Sequence, residues 1–179
     1  MWLMRGPIGE RNLFELVKDY LLNRKNLIGI EIGCYAGEST SVFLRSNAFR
    51  KFYCVDPWIP DYDSKTVITR NDLIEAEKVF DRKFANSDIV TKVKMKSDDA
   101  VSLFANASID FLYIDGDHNY ESVRNDILHY VPKVKSDGII SGHDYTSTKW
   151  TGVKQAVDEY FQKPPLKIYH DSSWLYIKE

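Results

Sequence analysis

The sequence predicts an α/β fold in which a mostly parallel, seven-stranded sheet carries helices on both faces and has a reversed last strand. Short apolar runs rich in β-branched residues alternate with amphipathic segments of helical period, and the last two runs are joined by a tight polar turn. Repeated strand–helix alternation favours parallel strands with right-handed crossovers, which leave helices on both faces. The sequence shows no repeat or linker, so we expect one domain spanning residues 1–179.

The helices are predicted from apolar residues that recur every three or four positions. In the opening segment 10–24, Leu13, Leu16, Val17 and Leu21 lie on one stripe, and charged residues occupy the other side. One face of this helix therefore packs against a core. The same pattern places the remaining helices at 38–48, 71–86, 98–106, 121–131 and 151–163.

The strands are predicted from short apolar runs, several of which end in glycine or an acidic residue. These runs lie at 27–33, 51–57, 90–96, 109–116 and 138–145. The run at 109–116 is the most apolar, so we expect it in the middle of the sheet. Segments 167–171 and 172–179 have the pattern of an antiparallel hairpin, which supplies the reversed last strand.

Composition and charge exclude several classes of protein. Hydrophobic residues make up 44% of the chain and charged residues 28%, an ordinary balance for a protein with a buried core. The formal net charge of −2 and the scattered basic residues offer no stripe for a phosphate backbone, so no nucleic acid partner is expected. No apolar run approaches the ~20 residues of a membrane span. Cys34 and Cys54 lie in apolar stretches, which suits reduced thiols and a cytoplasmic protein.

A first candidate site follows the first strand, where ligands bind in open α/β sheets. Gly33 and Gly37 let the backbone approach a ligand, and the next helix offers free N–H groups at its start. Asp56 ends the second strand and can accept hydrogen bonds from both hydroxyls of a ribose, while Glu31 can balance the charge of an amino acid or sulfonium. The alternative is a tight turn between two solvated strand ends.

At these residues the chain resembles class I S-adenosylmethionine-dependent methyltransferases, whose first motif runs acid-x-Gly-x-x-x-Gly and whose second strand ends in an acid. Five strand–helix units followed by a hairpin are also the element order of this Rossmann-like sheet. The resemblance implies that S-adenosylmethionine is the cofactor. It implies further that Gly33, Tyr35 and Gly37 contact the methionine moiety, with Glu31 beside them, and that Asp56 binds ribose.

Three further cofactor contacts come from the same resemblance. Ser97 and Asp98 follow the third strand and match the family position beside adenine. Trp58 follows Asp56 closely and is expected to cover the cofactor or to line the substrate pocket. Residues 57–70 are interpreted either as a lid over the substrate or as a plain surface loop.

A second candidate site combines Asp115-Gly116-Asp117-His118, after the fourth strand, with Gly142-His143-Asp144-Tyr145, after the fifth. Neighbouring strands bring three carboxylates and two imidazoles together at one edge of the sheet. A divalent cation held by Asp115, His143 and Asp144 would grip substrate oxygens and lower the pKa of a hydroxyl. Alternatively, His118 or His143 acts as the general base. The competing interpretation for His118 is a capping role, in which Asn119 or His118 bonds the start of the next helix.

These motifs resemble a subgroup of small methyltransferases, the methyltransferase 24 type, related to macrolide-sugar and catechol-type O-methyltransferases. In the metal-dependent members, an acid ends the fourth strand and an acid pair ends the fifth. Asp115 and Asp144 match this pattern, while His143 stands where an acid is expected. The resemblance implies Mg²⁺ or another divalent metal, with Asp115 taking part in catalysis. Because Mg²⁺ prefers oxygen ligands, His143 leaves the choice of metal open.

The methyl acceptor is expected to be a small hydroxylated molecule or a sugar, since the short chain has little room for a large cap. A homodimer that closes the site is an alternative arrangement. Two other enzyme classes are weighed against this interpretation. Tyr145-x-x-x-Lys149 imitates the catalytic pair of NAD(P)-dependent oxidoreductases, and the Asp/His clusters suit a metal-dependent hydrolase. A non-catalytic module that retains the cofactor pocket is the third alternative.

Overall fold

The computed structural model describes residues 7–59 and 69–179, with side chains from residue 13 onward. Strands and helices alternate through most of this range. The strands are β1 (Leu27–Ile32), β2 (Phe49–Val55), β3 (Val90–Val93), β4 (Ile109–Ile114), β5 (Val134–Gly142), β6 (Lys167–Ile168) and β7 (Trp174–Ile177). The helices are α1 (Pro7–Tyr20), α2 (Glu38–Leu44), α3 (Arg70–Phe84), α4 (Ser97–Ala100), α5 (Tyr120–Tyr130) and α6 (Thr151–Phe161).

The seven strands form one sheet in the order β3-β2-β1-β4-β5-β7-β6. Strands β1 to β5 are parallel, and β7 runs antiparallel to both of its neighbours. The predicted sheet, with its reversed last strand and its central β4, is therefore confirmed. The order of strands reverses between β1 and β4, so a crevice forms at the carboxyl ends of these two strands.

Two apolar clusters cover the two faces of the sheet. One contains the stripe of α1, where Leu13, Leu16, Val17 and Leu21 are fully buried, and packs with aromatic side chains of α2, β2 and β4. The other joins α4, α5 and α6 to the opposite face. Helices lie on both faces, as predicted. None of the helices in the described ranges is both long and apolar enough to span a bilayer.

Several predicted boundaries are wrong for local reasons. Helix α2 ends at Leu44, four residues before the predicted end, because the Ser46 hydroxyl bonds the Phe43 carbonyl and Asn47 adopts a left-handed conformation. The predicted helix 98–106 is one turn, α4, followed by a 3₁₀ turn that ends at Leu103. The last hairpin is also shorter than predicted, with only two residues in β6.

Candidate active site

The bend after β1 requires two glycines. Gly33 and Gly37 have φ angles of +83° and +71°, a region that side-chain-bearing residues rarely adopt. A Cβ on Gly33 would lie 2.1 Å from the carbonyl oxygen of Asp115, and one on Gly37 would lie 2.4 Å from Cε2 of Phe84. The bend therefore packs directly against the end of β4. This backbone contact links the two candidate sites that the sequence predicts.

Glu31 is completely buried at the end of β1. Its two carboxylate oxygens accept hydrogen bonds from the hydroxyls of Ser39 and Thr40 in the first turns of α2. These bonds tie the strand to the helix across the glycine bend. The contacts favour a role in shaping the bend, and a direct role in balancing a ligand's charge stays a prediction.

Asp56 organises the same bend from the end of β2. Its Oδ2 accepts hydrogen bonds from the backbone N–H groups of Cys34 and Tyr35, at 3.0 Å and 2.9 Å, and its Oδ1 accepts one from Trp58 at 2.7 Å. Burial raises the pKa of this carboxyl, while the three N–H donors oppose the increase. A carboxylate offers about four acceptor positions. The Asp56 carboxylate therefore has about one acceptor position left for the predicted hydrogen bonds to the ribose hydroxyls.

Trp58 lies behind the bend. The side chain is 3% exposed, its Nε1 donates to the carbonyl of Tyr35 at 2.8 Å, and its ring packs on Phe80. The ammonium of Lys92 lies 4.8 Å from the ring centroid. These contacts favour a supporting role for Trp58 over the expected position above a cofactor. Of the expected lid 57–70, residues 60–68 lie outside the described part of the chain.

Ser97 and Asp98 form the first turn of α4, on the α5 side of the bend. The hydroxyl of Tyr130 on α5 donates to the carbonyl of Ser97 at 2.8 Å, which fixes this turn against the helix. The side chain of Asp98 is 59% exposed and lies 3.6 Å from Nδ1 of His129. Both residues thus follow β3 directly, as predicted, and their contact with adenine stays a prediction.

The second site gathers two aspartates and two histidines, as the pairing of β4 with β5 predicts. Oδ2 of Asp144 lies 3.0 Å from Nε2 of His118 and 3.2 Å from Nδ1 of His143. Oδ1 of Asp115 lies 3.7 Å and 3.6 Å from the same two nitrogens. The four side chains are 15–20% exposed. The predicted meeting of these clusters is therefore confirmed.

Charge is concentrated in this second site. Burial lowers the pKa of His118, but the hydrogen bonds and charges of Asp115 and Asp144 outweigh it and raise the pKa to about 10. Burial raises the pKa of Asp144, but His118 and His143 hold it well below its usual range. At neutral pH without a ligand, His118 is therefore a cation held by carboxylates. A ligand that takes over these carboxylates would free the imidazole to accept a proton.

The third carboxylate expected here, that of Asp117, lines the same cleft but is bonded to the start of α5. It accepts hydrogen bonds from the backbone N–H of Asn119 at 3.1 Å and from the Ser122 hydroxyl at 2.9 Å. The side chain of Asn119 caps α5 by accepting from the N–H of Ser122 at 3.0 Å. The predicted meeting of three carboxylates at this edge is therefore confirmed, although the start of α5 occupies Asp117 with hydrogen bonds. Of the two residues considered for capping α5, Asn119 performs that role and His118 does not.

Aromatic side chains that the sequence interpretation missed support the two histidines. Trp150 stacks on the imidazole of His118, with ring centroids 4.8 Å apart, and the Lys149 ammonium lies 4.2 Å from the Trp150 centroid. The indole of Trp174, on the reversed strand, donates to the carbonyl of His143 at 3.2 Å. These contacts depend on where α6 begins and on how β7 pairs with β5. No local sequence motif predicts them.

The donors of the second site fit a divalent cation. One ligand atom from each of Asp115, His118 and Asp144 can be chosen so that all three lie within 4.8 Å of one another. The sequence interpretation chose His143 as the nitrogen ligand, and its Nδ1 is comparably close to both aspartates. Two carboxylates with one imidazole suit metals that accept both oxygen and nitrogen, such as Mn²⁺, Fe²⁺ or Zn²⁺.

The oxidoreductase alternative loses its motif. Helix α6 begins at Thr151, so Tyr145 and Lys149 precede it instead of sharing a helical face. The hydroxyl of Tyr145 donates to Asp158 at 2.6 Å and is thereby directed towards α6. The Tyr-x-x-x-Lys spacing is therefore a coincidence of sequence.

Comparison with known proteins identifies the family. Residues 30–145, which contain both candidate sites, match the profile of a methyltransferase domain family. The chain belongs to this methyltransferase family. Its members are enzymes that transfer a methyl group, and the strand order described above is that of the class I fold.

Two solved structures share the fold of this chain. The O-methyltransferase NovP superimposes with a TM-score of 0.64 and 23% identity over 95% of this chain and 80% of its own. The calicheamicin methyltransferase CalS11 gives a TM-score of 0.69 and 14% identity over 97% and 80% of the respective chains. An uncharacterized protein, R132 of Acanthamoeba polyphaga mimivirus, is 27% identical over 72% of this chain. That match spans 56% of the viral protein.

Proposed function

We propose that this methyltransferase domain transfers the methyl group of S-adenosylmethionine to a hydroxyl oxygen of a small molecule or sugar, assisted by a divalent cation. One observation carries the proposal. The glycine bend at Gly33 touches the carbonyl of Asp115, so a cofactor seated on the bend would end beside the aspartates and histidines of the second site. A methyl donor and a hydroxyl-activating group would then be neighbours, as in-line transfer needs.

The cofactor is assigned to the first site. The backbone from Gly33 through Tyr35 to Gly37 would hold the methionine moiety, with Glu31 and Trp58 supporting that backbone. The acceptor position left on Asp56 would take one ribose hydroxyl, and Ser97 and Asp98 would flank adenine. The absence of a side chain at Gly33 lets the bend pack against Asp115 and Gly116, which fixes the backbone of this crevice.

The second site is assigned to the acceptor and the metal. Asp115, Asp144 and one imidazole would hold the cation, and we assign this imidazole to His143. A bound cation would grip two neighbouring acceptor oxygens and lower the pKa of the attacking hydroxyl. Once a cation takes over the two carboxylates, His118 would be free to accept that hydroxyl's proton on Nε2, with its ring held by the stacked Trp150. The oxygen–carbon bond then forms as the sulfur–carbon bond breaks.

A shallow, open cleft adjoins the second site and is lined by residues of both predicted clusters. Apolar side chains from β4, α5, α6 and β7 line its deeper wall. They are Ile114, Val123, Val153 and Trp174. We propose that the reacting part of the acceptor enters here, and that a second copy of the chain or the segment 57–70 covers the remainder.

Calorimetry with S-adenosylhomocysteine, the product of the cofactor, tests the first assignment. We expect saturable binding, while NAD binding instead of the nucleoside would support the oxidoreductase alternative.

Labelled methyl transfer to a panel of sugars and catechols, with Mn²⁺, Mg²⁺ or a chelator present, tests the assignment of the acceptor and the metal to the second site. Chelator-sensitive phosphate release from a generic ester would favour the hydrolase.

The metal assignment can be tested with a matched pair of Asp→Asn variants, one inside the second site and one far from it. In Asp144→Asn, added Mn²⁺ should no longer raise the melting temperature. Asp110 lies at the opposite end of β4 from Asp115 and pairs with Lys135, so Asp110→Asn should keep the response. Cofactor binding without turnover on any acceptor, unchanged by His143→Ala, would contradict the catalytic proposal and favour a binding module.

A further inference from the structure

The connection between β5 and α6 carries two of the groups that surround His118. Near its start, Oδ2 of Asp144 lies 3.0 Å from Nε2 of His118. At its end, Trp150 stacks on the same imidazole, with ring centroids 4.8 Å apart. The proposed mechanism uses both groups, but it gives no role to the five residues between them, which include most of the Tyr-x-x-x-Lys spacing.

Two successive turns that share Ser147 fold this connection. The backbone N–H of Ser147 donates to the carbonyl of Asp144 at 3.1 Å, which closes the first turn. The hydroxyl of Ser147 accepts from the backbone N–H of Trp150 at 3.2 Å, which closes the second turn. Asp144 itself has a φ of +61°, a left-handed conformation that residues other than glycine seldom adopt. Ser147 therefore bonds the acid through its backbone and the indole-bearing residue through its side chain.

Both ends of the connection are fixed by packing. The backbone N–H of Tyr145 donates to the carbonyl of Ser172 at 3.0 Å, and the hydroxyls of Thr146 and Ser172 lie 2.6 Å apart. A Cβ on Gly152 would lie 2.7 Å from the backbone nitrogen of Tyr120, so the start of α6 packs directly on the start of α5. The bonds within the connection therefore decide how the acid and the indole are spaced.

Resting on the proposed function, we propose that Ser147 is a positioning residue that couples Asp144 to Trp150 and so keeps the imidazole of His118 oriented during the reaction. In the proposed mechanism a cation draws the aspartates away from His118, which leaves the stacked indole to hold the ring. The hydroxyl of Ser147 fixes the backbone at Trp150, so the imidazole keeps its plane while its carboxylate partners change. A base that is held in one orientation gains rate from its proximity to the acceptor hydroxyl.

The inference separates catalysis from binding. The hydrogen bonds of Ser147 go to the backbones of Asp144 and Trp150, away from the glycine bend. In Ser147→Ala the N–H of Trp150 loses its acceptor, and the indole restrains the imidazole less. With the best acceptor of the sugar and catechol panel, kcat should fall by about tenfold, while the affinities for S-adenosylhomocysteine and Mn²⁺ stay within about twofold. Ser147→Thr keeps a hydroxyl at this position and should restore kcat.

Nuclear magnetic resonance of the imidazole provides a second readout that needs no turnover. Protons stacked on the face of an indole are shifted upfield by its ring current. The carbon-bound protons of His118, assigned by their loss in His118→Gln, should show this shift because Trp150 stacks on the ring. At one fixed pH, the upfield shift should decrease in Ser147→Ala and should be retained in Ser147→Thr.

The control is Thr146→Val, which removes the neighbouring hydroxyl on the side of Ser172. Its kcat and its imidazole shift should be those of the unsubstituted protein. An unchanged kcat or an unchanged shift in Ser147→Ala, or an equal loss in Thr146→Val, would overturn the inference and leave the proposed function intact. Absence of methyl transfer by the unsubstituted protein would overturn both. If Ser147→Ala does not fold, Ser147→Cys takes its place, because sulfur is a weak acceptor.

Discussion

Two pairs of acids stand at the same edge of the sheet and are held in different ways. Glu31 and Asp56, around the glycine bend, accept hydrogen bonds from hydroxyl and backbone N–H groups that keep their protons at ordinary pH. Asp115 and Asp144, one strand further along, lie against two imidazoles. The first pair therefore fixes the conformation of the glycine bend. The second pair is bonded to imidazoles, which a cation could displace or a change in protonation could release.

This difference teaches how one sheet edge can serve both binding and chemistry. A site for a constant cofactor benefits from preorganisation, because fixed donors need no rearrangement when the ligand arrives. A site that activates an acceptor must change its protonation during each turnover. Under the proposed function, these two requirements fall on opposite sides of the contact between Gly33 and Asp115.

The largest effect is expected from Gly33→Ala. The new methyl group would collide with the Asp115 carbonyl at a positive φ, so we expect a loss of about 3 kcal/mol or more in the free energy of unfolding, together with loss of nucleoside binding. Chemical denaturation and calorimetry measure both. Gly116→Ala is the stability control, because its Cβ would meet the nearest atom, in Ile32, at 3.4 Å. Equal stability of the two variants would show that the bend can move away from the Asp115 carbonyl to accommodate a side chain.

Asp144→Asn should separate the two regions. Removing one carboxylate charge from the second site should lower kcat by about 10²–10⁴-fold, the usual worth of proton transfer and charge stabilisation. The affinity for S-adenosylhomocysteine should stay within about twofold, because the glycine bend is untouched. A comparable loss of affinity would mean that the two regions act as one site.

A smaller effect is expected from pH through Asp126. Its carboxyl is buried on α5, which raises its pKa to about 7, so the folded state binds a proton that the unfolded state has released. Stability is therefore full below about pH 4 and falls as pH rises to about 7. Relative to Asp126→Asn, the unsubstituted protein should lose roughly 2–3 kcal/mol between about pH 5 and about pH 8. Parallel stability curves for the two proteins would contradict the raised pKa.

The smallest effect is expected from Asp56→Asn, which tests the fixed region. The amide of asparagine keeps one oxygen acceptor and replaces the other by an NH2 group. At least one of the three backbone N–H groups therefore loses its acceptor, at a cost of about 1–2 kcal/mol in the free energy of unfolding. Affinity for S-adenosylhomocysteine should fall by about tenfold, while kcat at saturating cofactor stays nearly unchanged. A fall in kcat alone would place Asp56 with the reacting groups and break the comparison.

Much of the architecture follows from local sequence patterns. Apolar periodicity predicts the strands and most helices, because buried strands and amphipathic helices have different periods. The adjacency of β4 and β5 brings together the clusters at Asp115 and His143, as predicted. The boundaries at Leu44 and Leu103 depend on single hydrogen bonds and on left-handed residues that periodicity does not encode.

The partners of individual side chains were harder to predict. A carboxylate at the end of a strand has the same local sequence whether it faces a ligand or the protein's own N–H groups. Asp56 and Asp117 both proved to be bonded internally, and Trp58 proved to be buried. Asp126 lies inside an ordinary helical pattern, and that pattern does not distinguish it from an exposed acid, although the fold buries it.

The distribution of indole rings gives each region its own optical probe. Trp58 contacts the bend through the carbonyl of Tyr35, whereas Trp150 stacks on His118. Indole emission responds to nearby charge, so loading the cofactor should alter the light from the first ring, and metal or acid should alter the light from the second. Because Trp174 also lies in the second region, comparing Trp58→Phe with Trp150→Phe would assign each emission change to one ring and show in which order the two regions fill.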